Sequence, residues 1–184
     1  MFGLTAAGAL VAGIVLWAVV LYNGLVRKRN TVEEAWSGID VQLKRRTDLI
    51  PNLVSTVKGY AAHEQGTLED IVRLRGQAQQ VQGVGETAHT QELLGAALGK
   101  LFALAENYPD LKANTTFLQL QSALQEIEEQ VQLARRYYNG AVRELNIAIE
   151  AFPSNLIAQR FGFTKAEFFE LENAAERSVP KVAF

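Results

Sequence analysis

The chain has 184 residues, a formal charge of −2 and no cysteine. So nearly neutral a charge lacks the basic footprint that nucleic-acid binding needs, and the missing thiols exclude disulfides, a cysteine nucleophile and thiolate metal sites. After a membrane span of about 25 residues, what remains suits one domain with a core of its own.

Phe2 to Leu21 carries no charge and is long enough to cross the hydrocarbon core as a helix. A secretory signal would want a basic stretch before a shorter apolar run, so the expectation is a transmembrane anchor. Phe2, Trp17, Leu21 and Tyr22 belong to it, with Arg27, Lys28 and Arg29 at the headgroups directly after the span. By the positive-inside rule that cluster places everything beyond it in the cytoplasm and the N-terminus outside the cell membrane. Gly8 and Ala12 lie on a small-residue face suited to close contact with another span.

Beyond the anchor, Val32, Trp36, Ile39, Leu43, Ile50, Leu53, Val57, Tyr60, Leu68 and Ile71 recur at fours and threes, with Arg46 and Glu64 as the polar entries. The period predicts one long helix reaching about Gln80, kinked at Pro51, which cannot bond the Thr47 carbonyl. Its narrow apolar stripe demands partner helices. Gln82 to Thr87 reads as a loop, followed by a helix from about Thr90 to Asn107 capped by Thr90. An extended connection, YPDLKAN, leads to a third helix opened by Asn114 or Thr115. Its seam runs from Phe117 through Leu124, Tyr138 and Leu145 to Phe152, ends at Pro153 and is expected to pair with that of the first helix. A short helical piece over about Asn155 to Phe161 and a turn at Gly162 follow. Thr164 with Glu167 forms a capping-box pattern that predicts a last helix burying Phe168, Phe169 and Leu171. From Glu176 the tail is expected to be extended.

Several blocks in order, YNGLVRKRN (Tyr22 to Asn30), VEEAWSGIDVQLKRRTDLIPNLVSTVKGYAAHE (Val32 to Glu64), LKANTTFLQLQ, ARRYYNGAV, FPSNLIAQRFGF and the final PKVAF, resemble the bacterial LemA family. The resemblance runs from about Tyr22 to the end, and each block is a structural rather than a catalytic pattern. It implies a single-pass membrane protein with a helical-bundle domain and no established biochemical activity. It also implies that PKVAF is a terminal motif, and matches the family at Ala134, Arg135, Arg136, Tyr138, Asn139 and Asn146.

Catalytic patterns are missing. His63 and His89 are the only histidines, HEQGT lacks the second histidine of a zinc-protease helix, and there is no phosphate loop, nucleophile elbow or calcium loop. Glu126, Glu128 and Glu129 with Glu64 lack the Glu-x-x-His pairs of a bundle metal site, so neither a metal nor another cofactor is expected. Arg46 falls on the apolar seam, where its stem is expected to pack while its head reaches water; the alternative is a buried pair with Glu126, Glu128 or Glu129. Asn139 and Asn146, seven apart, share a helix face and with Arg135, Arg136 and Tyr138 either fix helix register or form a partner surface.

The expected architecture is all-α: an anchor over 1–26, an approximately four-helix up-and-down bundle over 27–175 whose first helix continues the transmembrane helix, and an extended tail over 176–184. The expected role is a non-enzymatic membrane scaffold or adaptor touching the lipid bilayer, further copies of itself and other membrane proteins, without nucleic acid. One alternative is an accessory factor of a membrane protease or envelope-stress system, a setting the resemblance suggests. A metal-dependent bundle enzyme is the weakest reading.

Overall fold

The computed structural model describes residues 2–61 and 63–170, with side chains from residue 8 onward. The described chain is all-α: α1 (Phe2–Lys58), α2 (Gln65–Ala78), α3 (Val84–Ala105), α4 (Pro109–Lys112), α5 (Thr115–Glu150) and α6 (Ser154–Phe161). It forms two compact units, one of residues 2–40 with 133–168, the other of residues 41–132 with Phe169 and Glu170. The two long helices, α1 and α5, contribute to both.

In the second unit, Ile50, Leu53 and Val57 of α1 share one core with Ile71 of α2, Leu94 and Leu101 of α3, and Phe117 of α5. The helix expected to reach Gln80 ends instead at Lys58. Gly59 begins the turn, and the Val57 carbonyl accepts from both Tyr60 N–H (3.0 Å) and Ala61 N–H (2.8 Å). Had α1 run on, Leu68 would stand roughly 16 Å past Val57 along the axis, beyond the core it now joins. The turn brings Leu68, Ile71 and Leu74 back into that core. The apolar rhythm keeps its phase on both sides, so periodicity alone does not see the turn.

Pro51 sits inside α1 without breaking it. Proline has no N–H for the Thr47 carbonyl, and an orphaned buried carbonyl is costly. Arg75 of α2 supplies the missing donor, its Nε bonding Thr47 O at 3.0 Å, while the Thr47 hydroxyl donates to Leu43 O at 2.7 Å.

Two further boundaries differ from expectation. α3 opens at Val84 rather than Thr90, because Gly83 adopts φ +92° and turns the chain directly into the helix. The buried face of its first turns holds Thr87 and Gln91, polar residues that an apolar count passes over. The connection expected to be extended contains α4, a single turn with Pro109 at its start, where proline costs nothing, and with Leu111 buried. α5 opens as expected, with Asn114 Oδ1 accepting from Phe117 N–H at 2.9 Å.

In the first unit, Lys28 of α1 reaches Glu144 of α5 at 2.7 Å, and Trp36 lies against Tyr138 at 5.5 Å between ring centroids. Residue numbers rise on one helix as they fall on the other, so the two run antiparallel there. Leu25, Ile39, Val142 and Leu145 are buried, and α6 follows α5 with Ala158 inside and Gly162 (φ +73°) closing it in the left-handed conformation. Phe152, expected at the end of the α5 seam, is instead 80% exposed.

The helix expected after Thr164 does not form within the described residues: 163–170 is non-helical. Side chains of α5 satisfy its backbone in place of a helical ladder. Asn146 accepts from Ala166 N–H (2.9 Å) and donates to Ala166 O (3.0 Å), and the Tyr138 hydroxyl donates to Glu167 O (2.8 Å). Phe169 is buried. Leu171, the tail from Glu176 and the PKVAF motif lie outside the described residues.

Candidate functional site

Three places concentrate polar or aromatic chemistry, and the predicted residues divide among them. The first is the Arg46 pair of the second unit. Arg46 lies on the apolar seam but does not extend into solvent: it is 8% exposed, and its Nη1 stands 3.3 Å from Glu128 Oε2. That corrects the expected snorkelling head. Room comes from Gly95 on α3, where a Cβ would lie 2.9 Å from Arg46 Nη2. The Glu128 oxygen is itself out of water and makes no hydrogen bond among the described residues, so the pair rests on charge. Burial pulls the Arg46 pKa down, and the Glu128 charge partly restores it. Glu126 and Glu129 are exposed.

The second is the clamp on 163–168 in the first unit. Tyr138 and Asn146, expected either to fix helix register or to form a partner surface, bond the backbone of this non-helical strap to α5. Successive contacts pair Lys165 with Glu150, Ala166 with Asn146 and Glu167 with Tyr138, so the strap runs antiparallel to α5. Burial, then the nearby Glu167, pushes the Tyr138 phenol upward, which keeps it a proton donor to the strap. Asn139 and Arg135 are half-buried and Arg136 is exposed. Asn146→Ala should release the strap at a cost of about 1–2 kcal/mol, since two bonds are lost and a backbone amide is left open. Hydrogen exchange checks it: the Ala166 amide should exchange far faster in the variant, and unchanged protection would refute the clamp.

The third is the aromatic group at the end of the apolar part of α1. Phe161 and Phe163, either side of Gly162, both set their rings against Tyr22, at 4.9 and 5.7 Å, and the Arg29 guanidinium lies 5.6 Å over Phe163. Lys28 holds the Glu144 carboxyl below its ordinary pKa by hydrogen bond and charge, and Arg29 pairs with Glu33 at 3.7 Å. Arg27 is exposed. Tyr22, Lys28 and Arg29 follow the apolar stretch as interface residues do, but their partners are distant in the chain; the Phe-Gly-Phe triplet, two aromatics around a turn residue, is the signal that points to them.

Upstream, residues 8–20 are exposed apart from half-buried Ala18, Trp17 included, while Leu21 is half-buried and the side chain of Phe2 lies outside the described ones. A Cβ on Gly8 would meet nothing within 4 Å, and Ala12 is exposed. His63 is exposed in the turn before α2. Glu64 accepts from the Tyr108 hydroxyl at 2.9 Å, a bond that raises the Tyr108 pKa. Among the described residues no three His, Cys, Asp or Glu side chains gather where a metal could sit.

Comparison with known proteins places these features in context. The LemA family model matches residues 35–184, which include Arg46, Tyr138 and Asn146. A magnetosome protein MamQ of Paramagnetospirillum magneticum is 26% identical over 198 aligned residues, covering 92% of this chain and 72% of that protein. The MamQ of Magnetospirillum gryphiswaldense is 24% identical, covering 86% and 68%. Protein LemA of Metamycoplasma hominis is 27% identical over 150 residues, covering 80% and 68%.

Proposed function

This chain belongs to the LemA family, and from that premise we propose that it is a membrane-tethered scaffold or adaptor that holds copies of itself and neighbouring membrane proteins together without turning over a substrate. The observation that carries the reading is the exposed apolar length of α1, the one helix among the described residues long and apolar enough to cross a membrane. Exposed side chains such as Leu10, Ile14, Leu16 and Val20 have a low free energy only in lipid or against another apolar surface. Tethering confines the helical units to a plane and raises their effective concentration for one another, so weak contacts suffice for assembly. The open face at Gly8 and Ala12 suits close helix approach.

Crosslinking in native membranes tests this. Wild type should give dimers or higher species together with heterologous partners, Gly8→Ile should reduce the self-crosslinked species severalfold, and His63→Ala should leave both pattern and cellular function intact. A Gly8→Ile variant indistinguishable from wild type, with function lost on His63→Ala, would replace the scaffold with a catalytic or metal-dependent role.

The orientation proposed with it puts the chain from Arg27 onward in the cytoplasm, on the strength of Arg27, Lys28 and Arg29 at the end of the apolar stretch. A C-terminal fluorescent-protein fusion should therefore shine and an alkaline-phosphatase fusion stay inactive. The opposite pair of results would invert the topology.

A further inference from the structure

The first unit carries a second apolar surface that the anchor does not account for. Phe152 (80%), Leu156 (55%) and Phe161 (59%) are exposed in succession around the turn from α5 into α6, and Ile147 (56%) is exposed on the last turns of α5. Four large apolar side chains exposed within fifteen residues are a density of apolar surface that soluble surfaces avoid. Its position within the unit is fixed by contacts. Phe161 packs its ring on Tyr22 and shares an apolar groove with Val15, Ala18 and Val19 of α1. The antiparallel run of α5 against α1, Trp36 with Tyr138 and then Lys28 with Glu144, brings the end of α5 toward the level of Tyr22. The α5–α6 turn therefore lies beside the last turns of the apolar stretch, where a span would leave the hydrocarbon.

We propose that α6 and the turn before it are a second membrane-contact element, lying in the interface between headgroups and acyl chains with Phe152 and Leu156 turned into lipid while Phe161 packs on Tyr22 of α1. The proposal rests on the reading of α1 as a span. From Val15 to Tyr22 is about 10 Å along a helix, the depth to which an interfacial helix buries its apolar face. Charge agrees with the occupant: Arg160, four residues after Leu156 and on the same face, and Arg27 are both exposed and able to reach headgroup phosphates while their stems stay in the apolar layer. The consequence is mechanical. One helix crossing a bilayer is free to swivel about its axis and tilt; a second contact beside it fixes the azimuth of the unit, and so the face it offers to neighbours in the membrane.

The chain contains no cysteine, so single introduced cysteines report single positions. Full-length Phe152→Cys and Leu156→Cys are labelled with a polarity-sensitive fluorophore and reconstituted in vesicles of phosphatidylcholine with phosphatidylglycerol. Leu16→Cys reports whether the span is inserted. Tyr137→Cys reports water, since Tyr137 is exposed and its neighbour Tyr138 lies level with Trp36, some 20 Å along α1 from Tyr22. Labels at 152 and 156 should be quenched by nitroxide lipids much as at 16, and by aqueous iodide at least about fivefold less than at 137. Water-exposed labels at 152 and 156 with a lipid-embedded label at 16 would overturn the second contact and leave the anchor standing. A water-exposed label at 16 would overturn the anchor, and the proposal with it. Labels at 152 and 156 shielded from both quenchers, with energy transfer between copies, would assign the patch to a second copy of the chain and also overturn lipid contact.

Discussion

Phe117→Ala should destabilise the detergent-solubilised protein by roughly 3–5 kcal/mol, the largest effect of any single truncation proposed for this chain. Phe117 is 2% exposed in the first turn of α5, with its ring 6.1 Å from that of Phe102 and in the core shared by α1, α2 and α3. Truncation removes the transfer energy of a whole ring and leaves a hole that four helices converging on the site cannot close without giving up their own contacts. At roughly 2–4 °C per kcal/mol for a protein of this size, melting followed by circular dichroism should come down by on the order of 10 °C. Leu124→Ala, two seam positions further along, should cost about 2–5 kcal/mol by the same mechanism. Leu118→Ala is the internal control: Leu118 neighbours Phe117 but faces outward, so it should move the transition by less than about 0.5 kcal/mol. Equal losses at 117 and 118 would mean that the assigned face of α5 is wrong.

Glu128→Gln should cost about 2 kcal/mol. The expectation for stripping one partner from a fully buried ion pair is roughly 3–5 kcal/mol, because the other charge is left without compensation in a medium that solvates it poorly. The Glu128 side chain is 43% exposed, so its charge is already partly screened and the pair contributes less than a fully buried one. The sign is more diagnostic than the size. Arg46→Leu combined with Glu128→Leu should recover most or all of the stability, since the apolar pair carries no desolvation penalty and lies on a seam otherwise built of Leu, Ile and Val. Glu129→Gln, on an exposed carboxylate beside it, should leave the midpoint of urea unfolding unchanged. A double variant less stable than Glu128→Gln would mean that the pair stabilises the helices by more than its burial costs.

The seam residues of α1 and α5 were legible because a period of three and four over many turns is a statement about one face of a helix, and that face is buried whatever covers it. Ile39, Leu43, Ile50, Leu53 and Val57 on one helix, and Phe117, Leu124, Ile127 and Leu145 on the other, are all inside. The long apolar stretch of α1 was legible from composition, and the opening of α5 from Asn114, because a cap acts within four residues of itself. At the candidate sites, sequence singled out Arg46, Tyr138 and Asn146 as polar residues on faces where polarity is costly, but it could not say what answers them.

Tertiary structure decided those answers, because each depends on a group distant in the chain. The turn at Gly59 exists because Leu68 and Ile71 gain more by folding back into the core than by continuing a helix whose phase they fit equally well. Pro51 stays within α1 because Arg75, 28 residues beyond Thr47, donates to the Thr47 carbonyl that proline abandons. The segment after Gly162 gives up its local capping signal because Asn146 and Tyr138 bond its backbone from α5, and a donor and acceptor already satisfied have nothing to gain from a helix. Local chemistry thus determined which face of each long helix is apolar; long-range hydrogen bonding and packing determined where the helices start and stop and what holds the polar groups they bury.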